Sequence, residues 1–78
     1  MKSLKTKPTG RERIALNLRA LRKLRGFSQE NLSAGAGISQ TFLSQIEGCR
    51  KNVSVDTLES LCLVLEADIS ELFVVIES

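Results

Sequence analysis

Two short helical patterns, separated by a break that contains glycine, lie between residues 27 and 49 of this chain. Each pattern begins with a serine, Ser28 or Ser39, whose hydroxyl can accept a hydrogen bond from a free backbone N–H of the first turn. Gly37 lies at the end of the first pattern, where a left-handed residue is favourable. Because helices this short cannot bury a core alone, the sequence predicts a helix-turn-helix supported by the rest of the chain.

The second helix of the pair, over residues 40–47, has two unlike faces. Leu43 and Ile46 are three residues apart and form the inward stripe. The opposite face consists of uncharged side chains that donate and accept hydrogen bonds: Gln40, Thr41, Ser44 and Gln45. Solvated helices more often carry Lys and Glu at such positions. An ordinary wet surface remains the alternative, but the pattern favours a face that recognises a partner through hydrogen bonds.

The segments around this motif predict the remaining organisation. Residues 1–10 have no periodicity and are expected to form a mobile basic arm, and residues 11–78 a single domain. We expect a first helix over residues 11–25, followed by Gly26, and a fourth over residues 55–66. The predicted inward residues of these two helices are Ile14, Leu18, Leu21, Leu58, Leu61, Cys62 and Leu65. Leu16 and Leu24 do not fit the stripe, and we expect one of them to be exposed or to pack at an edge.

An apolar cluster closes the chain. Ser70 is the expected cap of a last short helix over residues 71–77. Because the residues at its end are β-branched, a short strand remains the alternative there. The apolar surface of this helix covers more than one face, which one small domain cannot bury, so the pattern favours a twofold dimer. Packing within one monomer is the alternative. The predicted interface residues are Leu72, Phe73, Val75 and Ile76.

Charge is divided unevenly along the chain. Nine of the eleven basic residues, but only one of the nine acidic residues, lie within residues 1–25. A strongly basic end suits a polyphosphate backbone, and the acidic remainder is expected to face away from it. The alternative is a basic surface that only promotes solubility, or a disordered tail.

Several classes of protein are not expected. The chain has no histidine, and we find no paired carboxylates in an apolar setting, no phosphate-binding glycine loop and no metal-ligand spacing. We therefore predict no enzyme, no metal and no cofactor. The longest apolar runs, residues 61–65 and 72–76, are far shorter than the roughly 20 residues of a membrane span. With two cysteines and no signal peptide, we expect a cytoplasmic protein.

A set of residues spread over positions 14–73 resembles the lambda-repressor-like (Cro/XRE) helix-turn-helix domains. The matching positions are Leu18, Leu21, Arg22, Gly26, Ser28, Gln29, Leu32, Ala36, Gly37, Ile38, Leu43, Ser44, Ile46, Glu47 and Leu58. The resemblance implies an all-α fold of five helices with the helix-turn-helix at helices 2 and 3. FLSQIE followed by RKNVSVDTLESL is most similar to the controller proteins of restriction-modification systems, small dimers that regulate their own operon and the endonuclease gene.

The resemblance also implies a role for individual residues. Gln40, Thr41, Ser44 and Gln45 would contact bases. Gln29, Ser39, Arg50, Lys51 and Asn52 would contact phosphates. Arg22 and Glu47 would form an ion pair between helices 1 and 3. The implied partners are double-stranded DNA with a pseudo-palindromic operator, a second copy of the chain and RNA polymerase. A prophage-type repressor and an antitoxin or other protein-interaction module that uses the C-terminal helix remain alternatives.

The chain departs from the family pattern at three positions. Relatives often have glycine where Cys49 stands, whereas in this chain the glycine, Gly48, comes one residue earlier. We therefore expect the turn after helix 3 to be shifted by one residue. Glu66 replaces a common glycine after helix 4. Many relatives have arginine where Gln40 stands, so the preferred base is expected to shift away from guanine.

Overall fold

The computed structural model describes residues 7–75 of the chain, and these form four α-helices and one short 3₁₀ helix. The α-helices are α1 (Gly10–Leu24), α2 (Gln29–Ala36), α3 (Gln40–Glu47) and α4 (Val55–Leu65), and the 3₁₀ helix is Ile69–Leu72. The described part is all-helical, as predicted. The count of five α-helices is wrong, because the last one is replaced by the 3₁₀ helix.

Serine caps fix where three of the helices begin. The hydroxyls of Ser28, Ser39 and Ser54 accept hydrogen bonds from the backbone N–H three residues further on, at 2.9, 3.0 and 3.0 Å. Helix α1 begins one residue earlier than predicted. Thr9 and Glu12 form a reciprocal capping box there, in which each side chain accepts from the backbone N–H of the other residue. The end of the predicted arm therefore belongs to the start of α1, while residues 1–6 lie outside the described part.

The C-terminal helix predicted over residues 71–77 is wrong where the structure describes it. Asp68, and not Ser70, is the cap, because its carboxylate accepts from the N–H of Ser70 while the Glu71 carboxylate accepts from the N–H of Asp68. This box closes a single tight turn. The following Val74 and Val75 are β-branched and lose side-chain freedom in a helix, which disfavours its continuation. Residues 76–78 lie outside the described part.

One apolar core joins the helices. Its buried members are Leu18, Leu32, Leu43, Ile46, Leu58, Leu61, Cys62, Leu65 and Leu72, with Ile14 and Leu21 packed against them. The predicted stripes of α1, α3 and α4 are thus confirmed. Helix α3 packs on α1 and α2, whereas α4 packs on α2 and the 3₁₀ helix. Leu16 and Leu24 are both exposed, where we expected only one of them to be.

The burial of Leu72 corrects one part of the predicted dimer interface. Its side chain is completely enclosed in the core of the monomer, so it has no surface to offer to a second subunit. Phe73 and Val75 are exposed and remain available for contact. Ile76, the fourth predicted interface residue, lies outside the described part of the chain.

Two residues other than glycine adopt the left-handed conformation in the described part. Cys49 has a φ of 61° in the turn after α3, and Glu66 has a φ of 55° at the end of α4. Gly48 has a φ of −87° and does not take over the left-handed position from Cys49, so the expected shift of this turn by one residue is wrong. Helix α4 ends at Leu65 because Glu66 leaves the helical conformation.

Candidate nucleic-acid interface

The polar face of α3 lines a shallow depression at the surface. Gln40 and Thr41 are exposed at the start of the helix, and Ser44 and Gln45 are half-buried one turn later. The depression is completed by side chains from outside α3, and its lining is Gln29, Gln40, Thr41, Ser44, Gln45 and Arg50. The structure thus brings the four predicted base-contact residues together with two of the predicted phosphate-contact residues.

Ser39 lies at the edge of this surface, where α3 begins. Its hydroxyl oxygen accepts a hydrogen bond of 3.0 Å from the N–H of Phe42 and so caps the helix. The hydroxyl hydrogen is not used in that bond and can be donated to an anion. The same residue can therefore stabilise α3 and contact a phosphate.

A buried ion pair fixes α3 against the other helices. The Arg22 guanidinium donates from Nε to Glu47 Oε2 at 2.7 Å and from its terminal nitrogen to Glu47 Oε1 at 3.0 Å. Its other terminal nitrogen donates to the carbonyl of Phe27 at 2.9 Å. Since two parallel bonds set both distance and orientation, the pair holds α1, α3 and the entrance to α2 in one arrangement.

Gln29 connects this ion pair to the surface. Its amide nitrogen donates to Glu47 Oε1 at 3.1 Å, which leaves the second amide hydrogen and the carbonyl oxygen of the side chain free of that contact. Gln29 is also the first residue of α2, so its backbone N–H has no acceptor within the helix. The N-terminal end of a helix favours anions, and the predicted phosphate contact fits this position.

Arg50 follows the turn after α3 and returns towards the helix. A Cβ atom at Gly48 would lie 3.5 Å from Arg50 Nε and 3.3 Å from the carbonyl oxygen of Ser44. The first distance is an ordinary van der Waals contact, so the Arg50 side chain lies directly against Gly48 beside the end of α3. Arg50 borders the depression on α3 and also a second one next to it.

The second depression contains Arg19, a residue that the sequence interpretation did not assign to the site. It is exposed on α1 and shares this depression with Arg22, Gln29, Glu47 and Arg50. A signal for it existed in the sequence, because Arg19 precedes Arg22 by three residues and so lies on the same face of α1. Arg19 and Arg50 together place positive charge beside the polar face of α3.

Lys51 and Asn52 lie apart from the other predicted phosphate contacts. They line a separate surface with Gly10, Arg11 and Val53, at the start of α1. The side-chain oxygen of Asn52 accepts a hydrogen bond from the Arg11 guanidinium, so the amide nitrogen is the atom left for a ligand. The predicted phosphate contacts therefore form two separate groups, one beside the polar face of α3 and one at the start of α1.

Neither a metal site nor a membrane span is found in the part of the chain that the structure describes. Within residues 7–75, no group of three or more His, Cys, Asp or Glu side chains is arranged to hold a metal ion. No helix among the same residues is both long enough and apolar enough to cross a bilayer.

The fold and this surface define the class of the chain. It belongs to the Cro/C1-type HTH DNA-binding domain family, whose model matches residues 17–78. This membership agrees with the resemblance that the sequence motifs indicated.

Individual relatives include regulators of different lengths. SlrR, an HTH-type transcriptional regulator of Bacillus subtilis (strain 168), is 39% identical over 57 residues, which are 72% of this chain but only 38% of SlrR. The control protein C.SmaI of Serratia marcescens is 31% identical over 62 residues, 80% of this chain and 74% of that protein. The crystal structure of the restriction-modification controller protein C.AhdI from Aeromonas hydrophila matches with a TM-score of 0.76 and 31% identity, covering 78% of this chain and 92% of C.AhdI.

Proposed function

We propose that this chain is a sequence-specific, DNA-binding transcriptional regulator that acts as a homodimer in the cytoplasm, of the restriction-modification controller type. The observation that carries the proposal is the uncharged polar face of α3, held by the Arg22–Glu47 pair and bordered by Arg19 and Arg50. The controller subclass is supported by the similarity to C.AhdI and C.SmaI, which this chain covers over most of their lengths.

Bases are read in this proposal by the amides and hydroxyls of α3. A glutamine can bond adenine through both its amide oxygen and its nitrogen, and a threonine methyl can contact the methyl of thymine. Gln40 and Thr41 enter the major groove first, since they lie in the first turn of α3, and Ser44 and Gln45 follow one turn later. Without an arginine at position 40, the preferred base there is adenine and not guanine.

Two groups of residues contact phosphates in this proposal and so position α3. The first group is Gln29, Arg50 and Arg19, which border the depressions on and beside α3, with Ser39 at the start of that helix. The second group is Lys51 and Asn52, which line the separate surface at the start of α1. Contacts of this kind fix the register of the helix without reading sequence, and they make affinity fall as salt is added.

Two copies of the chain bind a pseudo-palindromic operator in this proposal. A twofold dimer presents its two α3 helices to successive major grooves, with half-sites about 34 Å apart. The exposed side chains of Phe73 and Val75 supply part of the contact between subunits, and Ile76 follows them in the sequence.

In this proposal, RNA polymerase contacts an acidic groove on the molecule. Glu59, Glu66 and Asp68 border an open groove between α4 and the 3₁₀ helix, beside the exposed side chain of Leu63. The groove shares no lining residue with the depressions on and beside α3, so we expect it to stay accessible when α3 is on DNA. Charge-reversed variants such as Glu59→Lys are expected to alter transcription in vitro while leaving operator affinity unchanged.

Fluorescence anisotropy on the DNA upstream of the chain's own coding sequence tests the main proposal. We expect specific binding, against an excess of unrelated duplex, that weakens steeply with salt. Gln40→Ala and Gln45→Ala should each cost about 1–3 kcal/mol of discrimination and leave non-specific binding unchanged. Ser60→Ala on α4 is the matched control and should bind normally. Absence of specific competition at moderate salt by the unaltered chain would overturn the proposal.

A further inference from the structure

A buried amide on α1 holds the C-terminal segment of the domain. Asn17 lies in the interior, and its side-chain nitrogen is within hydrogen-bond distance of three carbonyl oxygens. One belongs to Arg13 in the preceding turn, at 2.8 Å. The other two belong to Leu72 and Val74, at 3.1 and 2.7 Å. Asn17 thus fastens a part of the backbone that lies 55 to 57 residues further along the chain.

Arg13 completes this attachment from the same face of α1, one turn before Asn17. Its guanidinium donates to the carbonyl of Phe73 at 3.2 Å through a terminal nitrogen and to the carbonyl of Pro8 at 3.1 Å through Nε. Three successive carbonyls, those of residues 72, 73 and 74, therefore accept hydrogen bonds from only two side chains.

The attachment fixes which way the apolar side chains of the segment point. Leu72 is enclosed in the core and anchors one end. The next three side chains are turned to solvent, with exposed fractions of 38% for Phe73, 56% for Val74 and 42% for Val75. With its backbone held by α1, this segment exposes three successive apolar side chains that are not part of the core of the described residues.

We propose that Asn17 and Arg13 are positioning residues for the dimer, and that a second copy of this chain covers the segment formed by residues 73–75. The inference rests on the proposed function and identifies the residues that prepare its dimer contact. A twofold interface needs a self-complementary patch. Here a cation and an anion accompany the apolar side chains: Arg13 donates to the carbonyl of Phe73, and the exposed Glu71 lies two residues before it.

The separation of the segment from the polar face of α3 supports a second copy as the occupant. Residues 73–75 follow the 3₁₀ helix, which packs on α1 and α4, and they are not among the residues that line the depression on α3. A twofold contact through the segment therefore leaves the polar faces of both α3 helices open to DNA.

The experiment measures dimerisation and folding separately. Asn17→Leu removes the amide at similar volume, and Arg13→Met removes the guanidinium while keeping most of the stem. Sedimentation equilibrium should show a dimer dissociation constant raised about tenfold or more in each variant, because hydrogen bonds that hold the surface are lost. Phe73→Ala should weaken the dimer directly. Lys23→Met, which removes an exposed positive charge from the same helix, is the matched control and should dimerise normally.

A purely structural role would give a different result. If the residues position the dimer surface, Asn17→Leu should add little to the loss of dimer affinity already caused by Phe73→Ala. Arg13→Met should leave the helical circular dichroism signal and the binding to an isolated half-site unchanged. Unchanged dimerisation in both variants would overturn the inference while leaving the proposed function intact. The inference would also be overturned if dimerisation weakened only in parallel with a loss of the helical circular dichroism signal. An unaltered chain that binds no operator at all would instead refute the proposed function.

Discussion

Arg22 and Glu47 face each other across the α1–α3 contact through two parallel hydrogen bonds of 2.7 and 3.0 Å. Only 11% and 4% of their side chains are exposed. Both charged groups are thus largely desolvated. The free-energy cost of this desolvation is offset by their mutual attraction and by the hydrogen bonds to Phe27 and Gln29. The pair is well suited to fix the orientation of the helix that carries the candidate reading surface.

Removing one partner of this pair should be costly. Glu47→Ala leaves the Arg22 guanidinium partly buried without its counter-ion, so we expect the free energy of unfolding to fall by about 3–5 kcal/mol. Urea denaturation followed by circular dichroism measures the change. The double variant Arg22→Met/Glu47→Leu removes both charges and should recover most of the loss. A loss below about 1 kcal/mol in Glu47→Ala, the range of an exposed pair, would contradict this account.

Glycine should stabilise the domain at the two left-handed positions that lack it. Cys49 and Glu66 adopt φ values of 61° and 55°, where a Cβ atom is strained. We expect Cys49→Gly and Glu66→Gly each to raise the free energy of unfolding by about 0.5–1 kcal/mol, since relief of strain exceeds the extra entropy of the unfolded chain. Thermal denaturation measures the effect. Glu59→Gly, inside α4, should instead destabilise by about 1 kcal/mol, and equal effects at positions 59 and 66 would argue against the explanation.

Arg50 and Arg19 should contribute to DNA binding through their charge and should not discriminate between DNA sequences. Replacing either by alanine should weaken binding about equally on operator and unrelated DNA, and should reduce the slope of log affinity against log salt by about 1. Anisotropy titrations over a range of salt concentrations give both quantities. Leu24→Ala, a truncation of an exposed apolar residue on α1, is the control and should leave the slope unchanged. An unchanged slope for Arg19→Ala would remove this residue from the interface.

Asp68 should make stability depend on pH in the acid range. The hydrogen bonds from the Ser70 hydroxyl and backbone N–H lower the pKa of the Asp68 carboxyl from its ordinary value of 3.8. Because the folded state favours the ionised form, this contribution is present above pH 3.8 and is lost as the pH falls through the lower, folded-state pKa. The difference in unfolding midpoint between the unaltered chain and Asp68→Asn should therefore shrink on acidification. A difference that stays constant from neutral pH to strong acid would contradict the assignment.

Local signals in the sequence were sufficient for the helix-turn-helix itself. A serine cap and the spacing of Leu43 and Ile46 gave both ends of α3, and Gly37 marked the end of α2. The predicted first residues of two helices, α1 and the last helix, were wrong although the sequence contained a signal for each. Thr9 with Glu12, and Asp68 with Glu71, each have the three-residue spacing of a capping box, which would have moved the predicted starts of the first and last helices to Gly10 and Ile69.

The sequence by itself determined the all-helical architecture, the inward stripes and the uncharged face of α3, because caps and periodicity act between residues a few positions apart. Tertiary structure alone decided that Leu72 is enclosed and that Asn17 and Arg13 hold residues 72–74. These outcomes depend on pairs as many as 60 residues apart in the chain. No local pattern specifies such a partner, because the contact exists only after the apolar faces have packed and brought the two segments together.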